Sequence, residues 1–74
     1  MKTYVEVLVS ADGEKASIIS ERLIEMGLKP TVGQHDFVYI WKDIVGVSEV
    51  LNFVDRVQSK LKGTGAILNF STIG

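Results

Sequence analysis

Few side chains in this 74-residue sequence are of a type that does covalent chemistry. There is one histidine, His35, and no cysteine. His35 is followed by Asp36, the pairing of imidazole and carboxylate that general acid–base catalysis uses. In an extended segment, however, neighbouring side chains point to opposite faces, so the two do not form a dyad. Ser10, Ser17 and Ser20 offer hydroxyl nucleophiles, but no second histidine or nucleophile-elbow context stands by to activate them. Asp12-Gly13 and Gly63-Thr64-Gly65 have the composition of phosphate cradles without the spacing of a dinucleotide or P-loop motif. Each falls where a helix cap or stop is due. Glu14, Glu21 and Glu25 are accounted for by the solvated side of a helix. A lone histidine excludes a His/Cys metal staple. The expectation is a non-enzymatic chain with no catalytic residue, no cofactor and no metal.

Composition narrows the partners. A net charge of −1 gives no field for DNA, an anionic membrane or RNA. The longest apolar run is Phe37-Val38-Tyr39-Ile40-Trp41, against the roughly 20 residues of a membrane span. The first residues lack the basic region and long apolar stretch of a secretory signal, which predicts a cytoplasmic address. A chain of this length hides only about 60% of its unfolded surface. With 46% hydrophobic residues and no disulfide, burying surface against a second copy is the remaining source of stability. A homodimer is expected.

The elements that must position these residues read as β-α-β-β-α-β. Residues 2–10 alternate as a strand, with Val5, Val7 and Val9 on one face and Tyr4, Glu6 and Leu8 on the other. Asp12 is the expected cap of a first helix in which Ala16, Ile19, Leu23 and Met26 form the apolar stripe. Gly27 suits its C′ position, with Leu28 folding back and Pro30 forbidding continuation. Residues 29–32 form a short strand, held to an edge by Pro30. Gly33 and Gln34 turn the chain into a strand over residues 36–42. Ser48 is the expected cap of a second helix with Val50, Leu51, Val54, Val57 and Leu61 as its stripe, closed by Gly63. Residues 65–73 are the last strand.

This order is the ferredoxin-like α+β plan over residues 1–74 as one domain: a four-stranded antiparallel sheet with both helices on one face. Right-handed crossovers put the first and third strands in the centre and leave the other sheet face open. Val38 and Ile40 resemble the valines of the first strand in shape, so Phe37, Tyr39 and Trp41 are expected on the open face with Tyr4 and Leu8. A one-residue slip of register would reverse that and make the aromatics core. The favoured reading is a sheet-to-sheet dimer through Tyr4, Leu8, Phe37, Tyr39 and Trp41. A single-stranded RNA binder stacking bases on Tyr4, Tyr39 and Trp41 is the rival from another class, weakened by the shortage of Lys and Arg.

One segment carries a resemblance. Gly33-Gln34-His35-Asp36 opens the third strand, followed by a helix and a Gly-rich step into the last strand, "GQHDFVYIWKDIVGVSEVLNFVDRVQSKLKGTGAILNFSTIG". This stretch resembles the effector (RAM) domain of Lrp/AsnC regulators and related dimeric α/β-barrel families. The resemblance implies a dimer whose effector pocket lies near this turn and takes amino acids or similar metabolites. Gly33, His35 and Asp36 match the turn and are the candidate ligand-binding residues. The helix-turn-helix through which those regulators read DNA is not in the sequence, so the expectation is metabolite sensing or regulation. An assembly or adaptor role without a ligand is the alternative, with Asp36 simply capping a turn.

Overall fold

The structure is a computed structural model that describes residues 1–33 and 35–74. The alternation of the first residues builds β1 (Lys2–Leu8), with Thr3 and Val5 fully buried and Lys2, Glu6 and Leu8 exposed. α1 (Ala16–Glu25), β2 (Lys29–Pro30), β3 (Phe37–Ile40), α2 (Val47–Lys60) and β4 (Ile67–Ile73) follow. One antiparallel sheet results, in the order β2-β3-β1-β4. This is the expected α+β plan, with β1 and β3 central and the Pro30-bearing strand at an edge.

The end of α1 follows from its sequence. Gly27 takes φ +93°, its N–H donates to the Ile24 carbonyl at 2.9 Å, and the Leu28 N–H donates to the Leu23 carbonyl at 3.2 Å. That pair of bonds is a Schellman motif, and it turns Leu28 into the core. The other helix ends depart from expectation. α1 starts after Lys15, beyond Asp12, and neither helix has a side-chain cap. Asp12 instead lies in the turn whose N–H donates to the Ser10 hydroxyl. Gly46 precedes α2, so Ser48 lies inside its first turn, where Glu49 complements the positive helix end. The strands at residues 29–32 and 36–42 are shorter than expected, and the turn expected on Gly33 and Gln34 lies partly outside the described residues, at Gln34.

The faces of β3 are opposite to expectation. Thr3 lies across from Tyr39 and Val5 across from Phe37, so Phe37, Tyr39 and Trp41 join Thr3 and Val5 beneath the helices. Val38 and Ile40 take the other face with Tyr4 and Lys2, where Ile40 is exposed and Val38 is buried. The reason is volume. β1 contributes only Thr3 and Val5 to the centre of this layer, so the space up to Phe53 must be filled from β3. Tyr39 lies 4.4 Å from the Phe53 ring, centroid to centroid, and Trp41 meets Phe53 edge-on at 5.4 Å. The indole N–H of Trp41 donates to the Thr3 hydroxyl at 2.8 Å, and that hydroxyl is bonded to Thr72 at 2.9 Å. Phe53, which the apolar stripe read from the sequence leaves out, is thus the centre of the core, whereas Leu51 and Ala16 are exposed.

Truncating that centre gives a direct check. Phe53→Ala should lower unfolding free energy by about 3–5 kcal/mol, the usual cost of removing a buried aromatic ring. Urea denaturation followed by Trp41 fluorescence reads it, and a loss below about 1 kcal/mol would contradict the assignment.

Candidate functional site

The three residues singled out at the turn do not gather. β3 begins at Phe37, and Asp36 just before it still pairs with β1: its N–H donates to the Val5 carbonyl at 3.2 Å. The next β1 donor along, the Val7 N–H, finds the Asp36 carboxylate, donating to Oδ2 at 2.7 Å. A side chain thereby substitutes for a strand carbonyl and extends the β1–β3 edge by one bond. The hairpin behind it is drawn in by Thr31, whose N–H donates to the Asp36 carbonyl at 3.0 Å and whose hydroxyl donates to the His35 carbonyl. The Asp36 carboxylate therefore bonds a backbone amide across the sheet, 29 residues away in sequence, rather than capping the turn as its sequence position suggested.

His35 turns the other way. Its ring stacks on Tyr4 at 4.7 Å and its Nδ1 lies 3.7 Å from Glu6 Oε1, on the sheet face away from the helices. Nδ1 has no hydrogen-bond partner among the described residues. Alternation along the chain separates imidazole from carboxylate as expected, and Gly33 is exposed beyond both.

Asp36 also borders a groove of about 360 Å³ between α1 and β1. Its other walls are Val7, Val9, Ala16, Ile19, Ser20 and Phe37. One carboxylate and one hydroxyl on otherwise apolar walls suit a small molecule with an amino group and an aliphatic body. Ala16, Ile19 and Ser20 come from α1, so the partners of Asp36 here were not visible in the turn motif itself. The alternation of β1 and the helical spacing of Ala16, Ile19 and Ser20 were the only signals for them.

The two glycine-bearing stretches meet each other. The Glu14 N–H donates to the Thr64 carbonyl at 2.9 Å, and a Cβ on Gly13 would lie 2.3 Å from that oxygen. The Thr64 hydroxyl, buried, donates to the Leu61 carbonyl at 2.6 Å and caps the end of α2. Both stretches are used for close packing. Among the described residues, no three His, Cys, Asp or Glu side chains are grouped to hold a metal ion. Among the described residues, no helix is long and apolar enough to cross a membrane.

The open face carries aliphatic rather than aromatic side chains. Tyr4 and Leu8 lie there as expected. Leu8, Ile40, Ile67 and Ile73 are 59%, 51%, 62% and 56% exposed, so more than half of each has no cover. Lys2 and Glu6 are the charges of β1 on this face. The fold and this surface define a ferredoxin-like α+β domain with an uncovered apolar sheet face. Compared with known protein families, curated proteins and solved structures, the chain matches none.

A pair of variants tests the structural task of Asp36. Asp36→Asn keeps an oxygen for the Val7 N–H, whereas Asp36→Ala leaves that donor without it. Urea denaturation should show a loss of about 1–2 kcal/mol for Asp36→Ala and clearly less for Asp36→Asn. Equal effects would contradict the bond's importance.

Proposed function

We propose that this chain is a non-enzymatic regulatory module that dimerises through its open sheet face and binds a small amino-bearing metabolite beside Asp36. The observation that carries the reading is the uncovered aliphatic surface of Leu8, Ile40, Ile67 and Ile73 on a domain too small to spare it. The surface suits a second copy. With a two-fold axis running across the strands, the Lys2–Ile40–Ile73 end of one sheet lies over the Leu8–Ile67 end of the other. Apolar side chains then meet apolar ones, and Lys2 approaches Glu6 of the second copy.

The metabolite half rests on the Asp36 groove and on the resemblance of residues 33–74 to RAM effector domains. Asp36 Oδ2 is engaged with Val7, so Oδ1 is the atom offered to an ammonium group. The bond to Val7 equally favours the second reading, an assembly protein with no ligand. A base-stacking surface has little support, because Tyr39 and Trp41 lie under the helices and, of the three residues it needs, only Tyr4 is on the open face.

Two measurements test the proposal. Sedimentation should give a dimer at micromolar concentration, and Ile40→Glu should return it to an 8.1 kDa monomer with helical content intact. A monomer at high concentration of the unaltered chain would contradict the pairing. Amide shifts recorded against a set of amino acids and amines should move at Val7, Ser20 and Asp36, and Asp36→Asn should abolish them. Shifts nowhere along the groove would leave the assembly reading in place.

A further inference from the structure

The two edges of the sheet are managed differently. β2 is two residues long and contains Pro30, both of which blunt an edge. β4 runs for seven residues, Ile67–Ile73, with no charge and no proline, and no strand among the described residues lies beyond it in the sheet. Its outward groups follow from parity. The Val5 carbonyl and the Val7 N–H both point towards β3, through Asp36. Tyr4, Glu6 and Leu8 therefore point their peptide groups at β4, where they face Ser71, Asn69 and Ile67. Leu68, Phe70 and Thr72 are left directing both N–H and C=O outwards.

The sequence of this edge reads nearly the same in both directions about Phe70. Ile67 mirrors Ile73, Asn69 mirrors Ser71, and Leu68 mirrors Thr72. We propose that β4 pairs antiparallel with β4 of a second copy, Phe70 opposite Phe70, making one continuous eight-stranded sheet. In that register Leu68 and Thr72 exchange hydrogen bonds across the axis, as Phe70 does with its counterpart. On the open face Ile67 meets Ile73 and Asn69 meets Ser71, so apolar lies against apolar and amide against hydroxyl.

A second feature accommodates the added strand. On the helix side a groove of about 620 Å³ runs between the end of α2 and the start of β4, lined among others by Gln58, Leu61, Ala66 and Leu68. The second copy's Thr72 falls opposite Leu68, at this groove. The edge axis is normal to the sheet and the face axis lies parallel to it, so both contacts can close into a tetramer. Edge pairing stands without the face contact, and their tests are separable.

Amide hydrogen exchange decides the matter on the unaltered chain. Leu68, Phe70 and Thr72 should be protected, more strongly as concentration rises, by about tenfold or more over the free edge. Thr72→Pro removes an outward N–H without touching the β1 ladder and should abolish that protection. Thr72→Val, which also loses the bond to Thr3 but keeps the N–H, should preserve it. Ile40→Glu, which acts on the face contact, should leave it in place. Rapid exchange at Leu68, Phe70 and Thr72 beside protected Ile67, Asn69 and Ser71 would overturn the proposal. So would protection that ignores concentration or vanishes in Ile40→Glu.

Discussion

The hydrogen bond from the Trp41 indole to the buried Thr3 hydroxyl is the constraint on which the two faces of this sheet depend. An indole N–H left unpaired inside a core costs about 1–3 kcal/mol, so Trp41 goes where an acceptor waits. Thr3 serves as that acceptor and, through its own proton, can bond Thr72 on the opposite neighbour strand. Three strands are thus held in register by one short polar chain across the helix-facing side. A slip of one residue would point Trp41 at the open face and put Val38 and Ile40 against Phe53.

The consequence reaches the surface. With Phe37, Tyr39 and Trp41 taken into the core, the outer face carries aliphatic side chains at its two ends and Tyr4, Glu6, Asn69 and Ser71 between them, with the His35 ring stacked on Tyr4. Aliphatic surface has no preference for nucleobases and no directional demand, so a matching aliphatic surface is its natural complement. Gly27 belongs to the same economy of space: a Cβ there would come within 3.2 Å of the Tyr39 ring, so the residue that ends α1 also leaves room for the aromatic cluster.

Much of the architecture was legible in the sequence. The valine alternation of β1, the Gly27-Leu28 helix stop and Pro30 each carry a local physical demand, and the structure meets the last two in full and the first as far as Leu8, with Val9 beyond the strand and exposed. The facing of β3 was not legible, because Phe37 to Trp41 is apolar at every position and alternation has no contrast to report. Shape similarity between Val38, Ile40 and the β1 valines was the wrong guide; the volume beneath Phe53 and the need of an indole for an acceptor decided it, and both are tertiary. At the candidate site, the separation of His35 from Asp36 followed from strand geometry, whereas the apolar walls around Asp36 come from α1 and could be found only once the helix was docked. Helix starts were misjudged at Asp12 and Ser48 because backbone turns, rather than side-chain caps, precede both helices.

The central proposal is that the aliphatic ends of the face opposite the helices meet those of a second copy. Intermolecular nuclear Overhauser effects between isotopically labelled and unlabelled chains, mixed in equal amounts, test it most directly. Contacts are expected from the Ile40 and Ile73 methyls of one chain to the Leu8 and Ile67 methyls of the other, and none from the Trp41 ring. Contacts between chains that run through Trp41 or Tyr39 would contradict it, and so would a dimer with no contact at these four aliphatic residues.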